Sequence, residues 1–532
     1  MSHDKPPSTW ARLHAASARI GKAAAARPVG ALGAAIIATG ILLAEYFDCN
    51  CLLQHNDDSY ITYRYAHNWA TGYGLVFNPF EATDSASSFL YTFLLALSHR
   101  LGLTNLPVVA CVLGIASTAA TSAVVYLACL ATSGRFFSSF FLACAVPANG
   151  LISSWAVSGM DTLLFTLLVT WTVYRLFIRC TFGWPETFLV IAVALTRFEG
   201  WILVGLWLAL ALARALAGTR LAQGDGRTRR ALLINTGVLL GTLCVFLLWK
   251  VKTYGTLLPH ALELKRITVL YAPRPRALWA VWWMSASVLL VLGAVGVAAL
   301  PRRLESAALV IYVLVSMVSL AIGPFSDWAR YSIHLLPVVA VLACVPLSKC
   351  VRSVPWVGVP IAAVVLIQGI HAFVEMQPSF YKAATETACR TQIGAFLDDH
   401  LPPGSVVLSS DIGAIAYAAP HIDFVDAVGL TSRDVLLARM QGHNADDVLF
   451  AKKPNIIADS CFGTCAAPAR FSAYYWLTDP SKWLTPLPEA HYFAGVGTGQ
   501  VLARCHSADG LSIAATRFDI PDADAGPTGP PP

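Results

Sequence analysis

Apolar runs alternate with short polar connectors along most of the chain, and their lengths predict its elements. The first run, Val29 to Tyr46, is long enough for a helix to cross the hydrocarbon core of a bilayer. Further runs lie near residues 87–98, 105–131, 136–150, 162–178, 186–196, 200–213, 231–249, 278–300, 306–322, 332–348 and 355–374. Those at 87–98 and 136–150 are short for a full crossing and read as half-spans or re-entrant pieces; in all, about ten to twelve membrane segments are predicted. Between the first two runs, residues 48–86 form a loop too long for a simple connector. It holds a helix over Tyr60 to Ala70, closed by the turn residues Gly72, Gly74 and Asn78-Pro79. Past residue 376 the period changes. Ser405-Val406-Val407-Leu408 and His421-Ile422-Asp423-Phe424-Val425 read as strands, and 387–400 and 432–441 as helices, so 376–518 is predicted to be a small α/β domain. The tail 519–532, rich in Pro, Asp, Ala and Gly, has the composition of a disordered segment.

Of 532 residues, 56% are hydrophobic and only 13% charged, which is too apolar for a soluble protein of this size. The chain is read as a polytopic α-helical membrane protein. Its net charge of +6 does not point to nucleic acid, because the basic residues sit mostly in the connectors, where they set orientation. Lys5, Arg12, Arg19, Lys22 and Arg27 against Asp4 make residues 1–27 a cytoplasmic segment. No clear small-residue cleavage site precedes Glu45, so the first span is read as uncleaved, with a cleaved signal peptide as the competing reading. The connector holding Arg214, Arg220, Arg227, Arg229 and Arg230 is cytoplasmic by the same rule, as are Arg302-Arg303 and Lys349 with Arg352. The loops 48–86 and 250–277, the stretch Gly323 to Tyr331 and the 376–518 domain then lie on the outer face. Single charges at Arg100 and Arg135 leave the sidedness between 87 and 160 open. Cys111, Cys129, Cys144, Cys244 and Cys344 lie in apolar runs without a metal-binding pattern, whereas Cys389, Cys461, Cys465 and Cys505 lie in the outer region, where three disulfide pairings are open.

Charged residues beside apolar spans are costly unless paired, solvated or used, which marks them as candidates. On the predicted outer face these are Asp57, Asp58 and Arg64 in the first loop, Asp161, Arg197 with Glu199, Lys252, His260, Glu263, Lys265 and Arg266 in the middle loop, and Asp327 with Arg330. Plainer readings stand beside them. Asp57-Asp58 suits a helix cap, Arg197 and Glu199 an intramembrane ion pair joining two half-helices, and Lys252, Lys265 and Arg266 interfacial snorkelling. Arg330, just after Asp327-Trp328 at the edge of a span, suits a lipid phosphate. Acids and cations at one membrane face would serve transfer of a group from a lipid-linked phosphate: the cations hold the phosphate, and a carboxylate takes the acceptor hydroxyl proton. No internal repeat, phosphate-cradling Gly-rich loop or catalytic-triad signature is present, which disfavours nucleotide-driven chemistry. A secondary transporter would also place charges in the membrane, but it gives no reason for a large outer domain.

Seven stretches follow one another in a telling order. They are Asp57-Asp58-Ser59-Tyr60-Ile61-Thr62-Tyr63-Arg64-Tyr65-Ala66 with Gly72-Tyr73-Gly74-Leu75-Val76-Phe77-Asn78-Pro79; Ser158-Gly159-Met160-Asp161-Thr162; Leu195-Thr196-Arg197-Phe198-Glu199-Gly200; Tyr254-Gly255-Thr256-Leu257-Leu258-Pro259-His260; Asp327-Trp328 with Arg330-Tyr331 and Leu335-Leu336-Pro337; Ser410-Asp411-Ile412-Gly413-Ala414-Ile415-Ala416-Tyr417; and Val428-Gly429-Leu430-Thr431. In this order they resemble the motifs of integral-membrane glycosyltransferases of the C superfamily (GT-C), and more narrowly those of mycobacterial-type terminal β-arabinofuranosyltransferases and their bacterial relatives. The chain departs from that pattern at Ala82 to Ser88, where relatives carry Val-Glu-Gly-Tyr-Thr-Asn, and in Asp161 for Glu and His260 for Asn. The departures touch donor identity more than reaction type.

The resemblance implies a transmembrane GT-C catalytic domain over 28–375 and a periplasmic α/β domain, in the inner membrane of a bacterium. It implies a glycosyltransferase moving a sugar, arabinofuranose or a similar pentose, from a polyprenyl-phosphate donor to a glycan, lipid or protein acceptor, inverting in a single displacement. Asp57 by preference, otherwise Asp58, is the expected base. Arg330 with Lys265 or His260 is expected at the donor phosphate, and Arg64 either joins them or orients the aspartates. Asn78, Asp84, Asp161, Arg197, Glu199 and Asp327 are expected to support the site. No metal site is assigned and no cofactor is required, although some members of the superfamily use a divalent metal. A hexose or aminoarabinose donor on the same fold, and a non-catalytic lipid-sugar transporter or flippase, are the rival readings.

Overall fold

Helices carry the apolar runs, and one mixed sheet carries the C-terminal part. The computed structural model describes residues 28–48, 56–79, 81–220, 226–267, 275–322, 328–441, 446–451, 454–461, 499–507 and 512–517. The segment 1–27, Asp327, Cys465 and the tail 519–532 lie outside the described residues.

Among the described residues, five helices are long and apolar enough to cross a membrane: Leu106–Ser133, Phe198–Leu216, Arg230–Tyr254, Leu335–Ser353 and Gly358–Glu375. A sixth span results if Phe136–Ala145 and Gly150–Ala156, bent by 57°, count as one. Pro147 falls in that break, where a missing N–H ends the helical ladder, and Asn149 restarts it by accepting from Leu151 N at 3.1 Å. Pro28–Leu43, Thr162–Ile178, Trp184–Thr196, Trp283–Ala298 and Leu304–Leu320 are shorter apolar helices. Leu335–Ser353 lies at the centre, packed on Leu106–Ser133 and Pro275–Ala298. Small residues allow the backbones to close in, as in other membrane bundles. A Cβ on Gly296 would collide with the Leu342 carbonyl, and one on Gly114 with that of Ala156. On Arg230–Tyr254, by contrast, Leu233, Leu240, Val245 and Leu248 are exposed, as lipid-facing side chains are.

The helix Gly358–His400 runs for 43 residues, about 65 Å, from the apolar region into the C-terminal sheet domain, called the outer domain after its predicted side, without a break. The separate helix predicted at 387–400 is its continuation, so no loop marks the boundary drawn at 376. Past the apolar stretch, Cys389, Ile393 and Leu397 recur every four residues and face the sheet.

That sheet contains β1 (Val406–Ser409), β2 (Asp423–Asp426), β3 (Ile456–Cys461), β4 (Gln500–His506) and β5 (Ser512–Arg517) in the order β2-β1-β3-β5-β4. β1 is parallel to β2 and β3, and β5 is antiparallel to β3 and β4. Alternate residues feed two cores: Val407, Phe424 and Ile456 pack towards the long helix, and Leu408, Val425 and Ile457 against Val435 and Leu449. Cys389 pairs with Cys505 as a disulfide, joining the long helix to β4. The first of these cores extends to Ile61, Tyr65 and Phe77, so the first loop packs as part of the outer domain.

Candidate active site

The first loop forms a helix, Asp57–Thr71, capped not by the aspartates but by Asn56, whose Oδ1 accepts from Asp58 N at 3.2 Å. Asp57 and Asp58 fill its first turn, where the helix dipole favours negative charge. Tyr60, Tyr63 and Ala66 pack towards the membrane helices, while Ile61 and Tyr65 pack on the outer domain. The two carboxylates therefore meet different surroundings. Asp57 turns to the outer domain, where its Oδ2 accepts from Gly413 N at 3.0 Å and its Oδ1 from Ala414 N at 2.9 Å, with Arg390 Nε 4.0 Å away. Only glycine fits at 413, because a Cβ there would lie 2.0 Å from the Asp57 carbonyl oxygen. Burial pushes the Asp57 carboxyl up to about 6, outweighing the pull of Arg390. Asp58 keeps 53% of its side-chain surface exposed and pairs with Arg330 Nη1 at 3.1 Å.

The Ser158-Gly159-Met160-Asp161 turn lies directly against this helix. Gly159, with φ of 76°, offers its carbonyl to the hydroxyls of Tyr63 at 3.1 Å and Tyr91 at 2.8 Å. Asn56 N donates to the Ser158 carbonyl at 3.2 Å. This fixes Asp161, which pairs with Arg197 at 3.2 Å. Arg197 stands where the helix Trp184–Thr196 gives way to the single turn Phe198–Gly200, and it also pairs with Glu199 at 3.2 Å. The expected ion pair between two half-helices is thus present, with Asp161 as a third member. Tyr331 links it to Arg330: its ring lies 4.7 Å from the Arg197 guanidinium and 5.0 Å from that of Arg330.

Asp58, Asp161, Arg197, Glu199, Arg330 and Tyr331 border one cavity of about 370 Å³. A second cavity of about 250 Å³ shares Ser87, Arg197, Phe198 and Pro259 with it and is walled by Phe89, Trp201, Phe246, Trp249 and Tyr254. At its polar end Asp84 pairs with Lys250 at 2.7 Å. A charged chamber thus opens beside an aromatic one.

Other predicted residues lie elsewhere. Arg64 is buried and donates to the carbonyls of Phe77 (2.8 Å), Ala416, Ala419 (3.1 Å) and Ile422 (2.8 Å), and to Asn78 Oδ1 at 3.4 Å. It neither borders the charged cavity nor orients the aspartates, because its donors are taken up joining the first loop to the outer domain. Asn78 does the same: Nδ2 donates to the Phe424 carbonyl at 2.8 Å and Oδ1 accepts from Phe424 N at 3.2 Å, as a neighbouring strand would. His260 is buried beside the cations Arg433 and Lys250, and desolvation with their repulsion pushes it down to about 4. A neutral imidazole does not offer the charge expected of it at a phosphate. The Lys265 side chain and Asp327 lie outside the described residues. Among the described residues, no group of three or more His, Cys, Asp or Glu side chains is arranged to hold a metal ion.

Three features escaped the sequence reading. Lys250 directly follows the apolar run 231–249, the same position beside a span that flagged Lys252 two residues on. Tyr63 and Tyr91 gave no sign, since a tyrosine on a helix reads as core. Arg390, which pairs with Asp411 at 3.0 Å and Glu386 at 3.4 Å beside Asp57, is an ordinary helical arginine in sequence.

The chain is similar to the solved structure of ArnT from Cupriavidus metallidurans bound to undecaprenyl phosphate, with 13% identity and a TM-score of 0.52 over 93% of this chain and 99% of that one. It is also similar to the Archaeoglobus fulgidus oligosaccharyltransferase in the apo form, with 12% identity and a TM-score of 0.53 over 93% of this chain and 75% of the other. A third similar structure is AglB from Archaeoglobus fulgidus in complex with an inhibitory peptide and a dolichol-phosphate, with 11% identity and a TM-score of 0.52 over 93% and 74% of the two chains. At such identities the likeness is one of fold. The chain has the GT-C fold, a polytopic helical membrane region carrying a C-terminal sheet domain. Residues 376–496 match a family model described as a domain of unknown function (DUF8728). No curated protein sequence matches the chain.

Proposed function

We propose that this chain is a membrane glycosyltransferase that takes a sugar from a polyprenyl-phosphate donor, with Asp58 as general base and Arg330 meeting the donor phosphate. The observation that carries this reading is the Asp58–Arg330 pair, a half-exposed carboxylate and a cation bordering a charged cavity that adjoins an aromatic-walled one. The solved structures holding undecaprenyl phosphate and dolichol-phosphate on the same fold support a lipid-phosphate donor.

In the proposed step the acceptor hydroxyl oxygen attacks the anomeric carbon while Asp58 takes its proton. The bond from that carbon to the phosphate oxygen breaks, its electron pair leaves on the phosphate, and Arg330 meets the charge. One displacement inverts the anomeric centre. Asp58 takes the role in preference to Asp57 because both Asp57 oxygens already accept backbone N–H groups. Asp161, Arg197 and Glu199 form a fixed ion network that holds Tyr331, and through it Arg330, in position. The donor sugar in this reading is arabinofuranose or a similar pentose, after the resemblance of the motifs; a hexose or aminoarabinose donor is compatible with the same geometry. The site is read as facing the outer side of the membrane. The Cys389–Cys505 disulfide supports that, since such bonds persist in oxidising compartments.

The test uses the purified full chain in liposomes with a panel of polyprenyl-phosphoryl pentofuranose, hexose and aminoarabinose donors, scored for a new glycosidic bond by mass spectrometry. Asp58→Asn should lower kcat by about 10²–10⁴. Arg330→Ala should raise the donor KM more than the acceptor KM. Full turnover by Asp58→Asn would sink the base assignment, and label crossing the bilayer without a glycosidic product would favour the transporter.

A further inference from the structure

The outer domain sends one loop, residues 426–432, back to the charged cavity, and the shape of that loop is fixed from within. Asp426, fully buried at the end of β2, accepts from Val428 N at 2.8 Å through Oδ1, and from Thr431 N at 2.6 Å and Thr431 Oγ1 at 3.3 Å through Oδ2. Its own N–H donates to Ser432 Oγ at 3.2 Å. Gly429 turns the chain with φ of 89°, and a Cβ there would press on Val435 Cγ1 at 3.0 Å and Leu436 N at 3.2 Å. A buried carboxylate satisfied in this way holds a single loop form, because any other leaves it unpaired. From this loop Val428 and Leu430 reach the cavity wall, and the Leu430 carbonyl accepts from Ser85 Oγ of the first loop.

Of the charged groups bordering the cavity, Asp161, Arg197, Glu199 and Arg330 come from the membrane region and Asp58 from the first-loop helix. From the sheet domain the cavity is bordered by Val428 and Leu430 alone, both apolar, with Leu430 partly buried against the core of that domain. An apolar wall orients neither a hydroxyl nor a phosphate; what it does is exclude water and set shape. Water is the competing acceptor in glycosyl transfer, since its oxygen can attack the same anomeric carbon, releasing free sugar and polyprenyl phosphate.

Building on the glycosyl-transfer reading above, we propose that the 426–432 loop is the wall that selects the acceptor over water, with Leu430 the specificity-determining side chain and Asp426 a positioning residue acting through it. Leu430→Ala opens the wall to water, Leu430→Trp fills the acceptor space, and Asp426→Asn releases the loop by losing one of its accepted bonds.

The experiment follows free sugar against glycosylated acceptor, using the polyprenyl-phosphoryl sugar that the wild-type chain turns over. Leu430→Ala should raise the ratio of hydrolysis to transfer about tenfold, in line with the discrimination a few apolar carbons provide, at a donor KM close to wild type. Leu430→Trp should raise the acceptor KM and spare hydrolysis, and Asp426→Asn should move the ratio in the direction of Leu430→Ala. An unchanged ratio in both Leu430 variants overturns the loop's role while leaving glycosyl transfer intact, whereas no product of either kind from the wild-type chain sinks the underlying reading. A readout independent of turnover is the alkylation of Leu430→Cys by a soluble maleimide, followed at that peptide. Polyprenyl phosphate should slow it severalfold, and an unchanged rate would remove Leu430 from the cavity wall.

Discussion

At the residue scale the decisive contrast is between Asp57 and Asp58. Neighbours on an α-helix point about 100° apart, so one acid of the pair meets the outer domain and the other the cavity. The sequence made the pair conspicuous, but it could not say which acid faced which way, because the groups that occupy Asp57, Gly413 N and Ala414 N, lie about 350 residues further on. The same surroundings give Asp57 a pH signature. Its folded carboxyl is raised from 3.8 to about 6, mainly by burial. The folded state therefore holds the proton more tightly than the unfolded chain, and stability from this group falls as pH rises from about 4 to about 6, with no further change above. Thermal unfolding in detergent across pH 4 to 7 should show that Asp57→Asn lacks this decline. A difference between wild type and variant that stays constant with pH would remove Asp57 as its source.

At the scale of elements, the spans were legible because hydrocarbon thickness imposes length and composition together. The continuity of the helix through 376 was not. Hydropathy falls there, which reads as an end, yet the helix goes on to His400. What the apolar count cannot register is the recurrence of Cys389, Ile393 and Leu397 on one face, set to meet a sheet still to come. The disulfide belongs to the same junction. Of the pairings open to the outer cysteines, the fold takes Cys389 with Cys505, which are 116 residues apart. Closing so long a segment stabilises the domain by up to about 4–5 kcal/mol in the chain-entropy account. Reductant should lower the unfolding midpoint of the wild-type chain, and in Cys389→Ser that midpoint should start lower and respond less. An equal response in both would mean that this disulfide does not support the domain.

At the scale of the whole molecule, the site exists only where two regions meet. The membrane region supplies the ions, the first-loop helix supplies Asp58, and the outer domain holds that helix in place through groups that reach no cavity. Arg64 is the centre of this junction: its guanidinium is buried, and the carbonyls of Ala416, Ala419 and Ile422 depend on it. Taking Arg64 away leaves the Ile422 carbonyl without its side-chain donor and the carbonyls of Ala416 and Ala419 with the backbone N–H groups of Ala419 and Ile422, each at 3.2 Å, a cost of about 1–3 kcal/mol. Arg64→Ala should therefore detach the helix from the domain while leaving the membrane bundle folded. In hydrogen exchange, amides of 57–71 and of 413–424 should lose protection together, those of 106–133 should keep theirs, and glycosyl transfer should fall although Arg64 touches no substrate. Arg64→Lys, retaining the charge but losing the planar fork, should fall between the two. If 57–71 and 413–424 instead exchange as in the wild type, the first loop stands without the outer domain, and that domain has no part in holding Asp58 at the cavity.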